Sequence, residues 1–360
     1  MRIHIIGSGA IGGMAGAYMV QNGEDVTFVD QWREHVDAMQ QNGLSIDGLR
    51  GPMHLDVRAL HSDALDEPID LAFVAVKSQH TDDAIRLIAP HLTANATVVS
   101  LQNGFNADKI ASAIGRERVI GTVPDYTAAL VDPGRLEFTV GGPVYVGALD
   151  GSDTPIVHEV ERLLAYLTTV HVTSNIVGRI WTKQCYMSQI VMTALVNASV
   201  NDVIQNMRYR LLGVALVREA ISVADRAGVT LDSDEYFQPE FIRQRSLDAR
   251  REQAKHLQAL IDHFALRDEK PKQPDYQFVK KGSGMWWDIV YRRRRSETAG
   301  ITGGILERAR ELDVPTPLNG ALVAMITEIE DGQRQQGWGN LDELARIAEA
   351  HGEPLTLDAE

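Results

Sequence analysis

Six residues near the start constrain this chain more than any others. Gly7-Ser8-Gly9-Ala10-Ile11-Gly12 follows directly on the short run Ile3-His4-Ile5-Ile6 and opens a helical pattern. A strand, a glycine-rich turn and a helix in immediate succession make a dinucleotide-binding unit. The first glycine makes the tight turn, the second lets a pyrophosphate approach the backbone, and the third lets helix and strand pack closely. The helix N-terminus then offers unpaired N–H groups to the phosphates. A second apolar run, residues 25–29, ends at Asp30, eighteen residues after Gly12. A carboxylate there can accept the ribose hydroxyls of an adenosine and repels a 2′-phosphate, which favours NAD over NADP. Arg33, close by, reads as a solvated helix residue.

The rest of the first third repeats the alternation. Residues 2–6, 25–29, 71–76, 97–101 and 119–122 read as strands, with helices at 11–22 and 81–92. The runs are nearly continuous in apolar character, as in parallel strands covered on both faces, and their order is that of βαβ units. After Pro133-Gly134 the pattern changes. Residues 136–140 and 144–149 flank Gly141-Gly142-Pro143 and read as a hairpin that gives the sheet an antiparallel edge. From about residue 177 the chain reads as helical, most clearly at 179–197, 211–227 (closed by Gly228), 239–264 and 298–312. The expected fold is α/β, an N-terminal Rossmann doubly wound parallel sheet over residues 1–175, followed by an all-α domain over 176–345 and a polar tail over 346–360. Residues 267–284, polar and broken by Pro and Gly, read as a loop.

Composition narrows the function classes. The 360 residues, 44% apolar and 23% charged, suffice for two packed cores. Lys+Arg 35 minus Asp+Glu 49 gives a net charge of −14, which opposes binding to nucleic acid and to anionic membrane. No run approaches the roughly eighteen apolar residues of a spanning helix, and the N-terminus does not read as a signal peptide. Cys185 is the single cysteine, so an intrachain disulfide and a thiolate metal cage are both ruled out. Histidines and carboxylates show no metal-ligand spacing, and no metal is expected. The cytoplasm is the expected compartment.

Four further landmarks sit in order behind the glycine-rich turn: Val76-Lys77-Ser78 after the third strand, Gln102-Asn103-Gly104 after the fourth, Trp181-Thr182-Lys183 at the start of the helical half, and Arg295-Ser296-Glu297. Together they resemble the ketopantoate reductase family, over residues 1 to about 330. The resemblance implies a Rossmann domain that holds the nicotinamide cofactor and a helical domain beside it. It also implies that Lys183 acts as general acid when hydride reduces a 2-keto acid to a 2-hydroxy acid. The chemistry agrees: hydride arriving at a carbonyl carbon leaves charge on the oxygen, which an ammonium stabilises and protonates. By the same resemblance Lys77 and Asn103 contact the nicotinamide end, and Asn103 the substrate as well. Glu297 holds the substrate hydroxyl or orients Lys183, and Ser283 falls near the position of a substrate-binding serine.

One departure stands out. The family places asparagines four and eight residues after the lysine, where this chain has Met187 and Val191. Residues so spaced share a helix face, so the substrate face is expected to be apolar and the substrate to be something other than ketopantoate. Arg292 to Arg295, read as helical, offer a guanidinium for a carboxylate. Two other readings remain open on sequence. An opine-type, imine-reducing dehydrogenase also joins a Rossmann to a helical domain, but lacks the Lys183 context. A non-catalytic nucleotide sensor would bind the cofactor without turnover. The expected partners are a small 2-keto or 2-hydroxy acid and a second copy of the chain, as a homodimer through its long helices.

Overall fold

In the computed structural model, which describes residues 1–233, 237–266, 275–277 and 282–358, the short apolar runs become strands. They are β1 (Ile3–Ile6), β2 (Val26–Asp30), β3 (Leu44–Gly48), β4 (Met53–Leu55), β5 (Arg58–His61), β6 (Ile69–Val74), β7 (Leu92–Ser100), β8 (Val119–Pro124), β9 (Thr127–Asp132), β10 (Arg135–Val140), β11 (Val144–Ala148) and β12 (Val170–Val172). Eight form one sheet in the order β12-β11-β8-β7-β6-β1-β2-β5, and four form another in the order β4-β3-β10-β9. In the larger sheet every neighbouring pair is parallel except β8 with β11. Both faces of its central strands are covered. Ile3, Ile5, Leu71, Phe73 and Val99 enter one core, while Ile6, Ala72, Val74 and Val98 enter the other. That two-sided burial is why the strands read as continuous apolar runs.

Residues 136–140 and 144–149, expected as a hairpin, do not pair with each other. β10 lies between β3 and β9 in the smaller sheet, and β11 runs antiparallel to β8 in the larger. The glycines between them serve a crossing, since a Cβ on Gly142 would stand 2.4 Å from the Asp125 carbonyl oxygen. The expected antiparallel edge is therefore present, but β8 supplies it.

Five helices follow the strands of this part: α1 (Ala10–Gln21), α2 (Arg33–Asn42), α3 (Thr81–Ile88), α4 (Asn106–Ile114) and α5 (Pro155–Ala165). α1 is buried without a break from Gly12 to Met19. Its composition allows this. A Cβ on Gly16 would stand 2.6 Å from the Phe28 ring of the larger sheet, and one on Gly13 would stand 2.9 Å from Leu136 of the smaller. Without those glycines the helix could not fit between the two.

By its contacts the chain divides into two units, Met1–Ile180 with Asp268–Lys280, and Trp181–Arg267 with Lys281–Glu360. The second is helical. It takes most of α6 (Ile176–Met192), then α7 (Val200–Gln205), α8 (Met207–Arg226), α9 (Pro239–Ile242), α10 (Leu247–Leu266), the short α11 (Gly284–Trp286), α12 (Thr302–Glu311), α13 (Pro317–Glu330) and α14 (Trp338–Ala350). α8 is the axis, packed by α7, α10, α12, α13 and α14. Its Glu219 carboxylate accepts the Leu318 and Asn319 N–H groups at 2.9 and 2.8 Å, which caps α13. The stretch expected as one helix over 239–264 is broken between α9 and α10. The expected polar tail, 346–360, is instead part of the fold up to residue 358. Ala348, Glu353 and Leu355 are buried, and the Glu353 carboxylate accepts from Arg218 and Arg245. The expected loop 267–284 lies outside the described residues except at 275–277 and 282–284.

Candidate active site

The strand order reverses about β1, with β2 on one side and β6 on the other. A crevice for ligands opens at the carboxyl ends of such strands. Gly7 follows β1 there with φ +93°, a conformation that costs glycine nothing. The three signature glycines differ in what surrounds them. A Cβ on Gly7 would stand 2.8 Å from the Val76 nitrogen, and one on Gly12 would stand 2.3 Å from the Gly7 oxygen and 2.7 Å from the Ala75 Cβ. Around Gly9 there is no heavy atom within 4 Å of that position, so this glycine alone faces open space. α1 begins with no side-chain cap and no acidic residue in its first turn. Its N–H groups and dipole are left for an anion.

Asp30 ends β2 and is already at work within the protein. Its Oδ2 accepts the Ser8 N–H at 2.8 Å and the Ser8 hydroxyl at 3.1 Å, and its Oδ1 accepts the Trp32 N–H at 3.0 Å. The carboxylate is thus fixed beside the turn, with lone pairs remaining for ribose hydroxyls. Two residues that belong to no motif complete the turn's support. Buried His35 of α2 places Nε2 3.0 Å from the Ser8 carbonyl oxygen. Buried Tyr126 donates its hydroxyl to the Ile11 carbonyl at 2.9 Å. Arg33 is exposed and reaches towards His61 and Asp63.

The loops after β6 and β7 are tied together by a buried polar network. Gln102 Nε2 donates to the Val76 carbonyl at 2.8 Å and to Thr81 Oγ1 at 2.9 Å. Thr81 Oγ1 donates to Asn106 Oδ1 at 2.9 Å, and Asn106 Nδ2 donates to Ser78 Oγ at 2.9 Å. The network holds Lys77 and Asn103 at the ends of adjacent strands. Asn103 Oδ1 is buried and has no hydrogen-bond partner among the described residues. Such an atom is costly to leave so, and it suits the carboxamide of a nicotinamide. Open space at Gly9, an uncapped α1 and an orphaned acceptor at Asn103 all fit a dinucleotide.

In the second unit Lys183 is buried on α6. Its neighbour Thr182 is fixed by the Asp232 N–H, which donates to Oγ1 at 2.9 Å. Met187 is partly buried against the helical core, whereas Val191 is fully buried within it. Val191 therefore packs the core, which corrects the expectation that it presents itself to a substrate. Helix spacing puts it near Lys183 in angle, but α6 is enclosed at that end and the side chain has only core neighbours to meet. Ser283 is buried, and its oxygen accepts the Trp286 N–H at 3.2 Å, capping α11. Arg292 to Arg295 are not helical: Arg293 has φ +50°, Arg294 pairs with Asp288 and Arg295 with Asp331. Glu297 is half-buried just beyond them. Among the described residues no group of histidines, cysteines and carboxylates could hold a metal ion.

Residues 3–151 match the family Ketopantoate reductase PanE/ApbA, and residues 175–330 match Ketopantoate reductase PanE/ApbA C terminal. A 2-dehydropantoate 2-reductase from Pyrococcus horikoshii is 30% identical over 330 residues, covering 91% of this chain and 96% of that protein. Among solved structures, D-mandelate dehydrogenase with NADH and anilino(oxo)acetate has a TM-score of 0.76 at 20% identity, covering 92% of this chain and 99% of that one. A PanE/ApbA family ketopantoate reductase from Ralstonia eutropha has a TM-score of 0.74 at 23% identity, covering 93% and 100%. The structural likenesses speak for the fold, and the sequence matches speak for the family. On those matches the chain belongs to the ketopantoate reductase PanE/ApbA family and is an NAD(P)-dependent oxidoreductase acting on a CH–OH group.

Proposed function

We propose that the protein interconverts a 2-keto acid and a 2-hydroxy acid, with Lys183 as general acid and base and NAD as the preferred cofactor. The observation that carries the reading is Lys183 itself, a lysine withdrawn from solvent to 7% exposure. A lysine is rarely buried, and its place on α6 withdraws this ammonium from bulk water. When bound, the reduced nicotinamide supplies the hydride. As the substrate carbonyl becomes an alkoxide, the Lys183 ammonium stabilises the new charge and gives up a proton to the oxygen. In the reverse direction the lysine takes that proton. Glu297 is proposed to hold the substrate hydroxyl or to orient Lys183. Asn103, Lys77, Asp30 and the turn from Gly7 to Gly12 are proposed to bind the cofactor.

The substrate is proposed to carry an alkyl or aromatic group beside its carboxylate. Met187 stands four residues after Lys183, where the family's amide would grip a hydroxylated substrate. An unpaired substrate hydroxyl there would cost about 1–3 kcal/mol. Ser283 stays a candidate for the substrate's polar end. The test is nicotinamide absorbance with NADH or NADPH and a panel of 2-keto acids. Phenylglyoxylate and its aliphatic counterparts should show higher kcat/KM than ketopantoate. A preference for ketopantoate would overturn the substrate assignment, and no turnover of any acid would overturn the reaction.

A further inference from the structure

We propose that His35 is a positioning residue that aims the glycine-rich turn at the cofactor's pyrophosphate, an inference that rests on the dinucleotide reading above. The two nitrogens of the ring have different partners. The Gly134 N–H donates to His35 Nδ1 at 2.9 Å, so Nδ1 is an acceptor and carries no proton. The ring proton is therefore on Nε2, which donates to the Ser8 carbonyl oxygen at 3.0 Å. Ser8 is then gripped on three atoms, because its N–H and hydroxyl both donate to Asp30.

That grip fixes a donor. The Ser8 carbonyl and the Gly9 N–H belong to one peptide plane, and in a trans peptide they point in opposite directions. Among the described residues no peptide bond is cis. The Ser8 oxygen lies back along α1, 2.5 Å from where a Gly13 Cβ would stand. The Gly9 N–H consequently points out of the helix N-terminus, at the one glycine of the turn that faces open space. The second support is the smaller sheet. Gly134 immediately precedes β10, so its N–H sets the His35 tautomer from that sheet. Rotation of the Ser8–Gly9 peptide would cost the His35 bond. His35 thus acts through Ser8 without touching the cofactor.

Two substitutions separate this role from mere filling of space. An asparagine can reproduce the Nδ1 position and a glutamine the Nε2 position of histidine. Both lose the ring and its stacking on Trp32, at 5.8 Å between centroids. The measurement is the Kd for NADH and for NADPH, from nicotinamide fluorescence, alongside Tm. His35→Asn should weaken both nucleotides about tenfold or more, the worth of one lost hydrogen bond, whereas His35→Gln should stay within about threefold of the wild type. Equal Kd values for the two variants would overturn the inference. Wild-type protein that binds neither nucleotide would overturn the dinucleotide reading instead. A measurement without substitution stands beside these should the variants not fold. In 15N-histidine spectra of the wild-type protein, His35 should carry its proton on Nε2, and that resonance should move as NADH is added. A proton on Nδ1, or a resonance unmoved by saturating NADH, would refute the role.

Discussion

Alanine at Gly9 and alanine at Gly12 should produce opposite phenotypes, although the two changes are chemically identical and three residues apart. The difference follows from what each new methyl would meet. At Gly12 it would stand 2.3 Å from the Gly7 oxygen, 2.7 Å from the Ala75 Cβ and 2.9 Å from Ile5 Cγ2, so α1 must move off β1. Overpacking of this kind costs about 1–3 kcal/mol, and at about 2–4 °C per kcal/mol Tm should fall by several degrees. At Gly9 the methyl meets no heavy atom within 4 Å, and the backbone, φ −68° and ψ −156°, is extended. Stability should therefore fall by no more than about 1 kcal/mol, the worth of a weak N-cap. The same methyl would occupy the space through which a pyrophosphate reaches the turn. Losing even one charge-assisted hydrogen bond there costs about 1.5–3 kcal/mol, which is about 10- to 150-fold in Kd. Thermal melts and NADH titrations of both variants supply the assay. A folded Gly9→Ala protein that binds NADH as the wild type does would refute the assignment of this turn to the phosphates.

Single substitutions elsewhere have equally definite outcomes. Lys183→Ala should lower kcat by about 10²–10⁴, the usual worth of a positioned acid, while the Kd for NADH measured by titration stays near the wild-type value. Asp30→Asn, which removes the charge but keeps an acceptor for Ser8, should narrow the ratio of kcat/KM for NADH over NADPH by about tenfold; an unchanged ratio would show that Asp30 does not face the ribose. The Glu24 carboxylate accepts from Arg162 and Tyr166, and the Arg162 hydrogen bond holds it below the usual range for glutamate. A lowered folded pKa contributes stability above the unfolded value that is lost as pH falls through the folded one. Glu24→Gln should accordingly lower Tm at neutral pH, by an amount worth about 1 kcal/mol or less for so exposed a pair, and the difference should vanish in acid.

The features legible in the sequence are those set by local physics. β1, β6 and β7 announce themselves because both faces are buried, and the glycine-rich turn because each glycine answers a steric need within a few residues of itself. The smaller sheet was not legible. β4 is three residues long, β3 alternates, and β10 pairs with β3 from ninety residues away. Gly141-Gly142-Pro143 reads as a hairpin turn because nothing local distinguishes a turn that folds a strand back from one that sends it to another sheet. The candidate site divides the same way. Asp30 is where the strand pattern places it, and Lys183 came from a motif. His35 and Tyr126 carry no signal, because each matters only through a carbonyl brought near by the fold. Helix spacing puts Val191 on a substrate face, but spacing gives relative angle and not which side of the helix the core occupies.

Hydride transfer between nicotinamide C4 and substrate C2 can be followed with deuterium. The wild-type protein is incubated with NADH deuterated on either face of C4 and with a 2-keto acid bearing an apolar side chain, and the product is analysed by mass spectrometry and NMR. The expected product is a 2-hydroxy acid that carries deuterium at C2 from one of the two labelled cofactors. Nicotinamide oxidised without label reaching C2, or no product under conditions where NADH is bound, would contradict it.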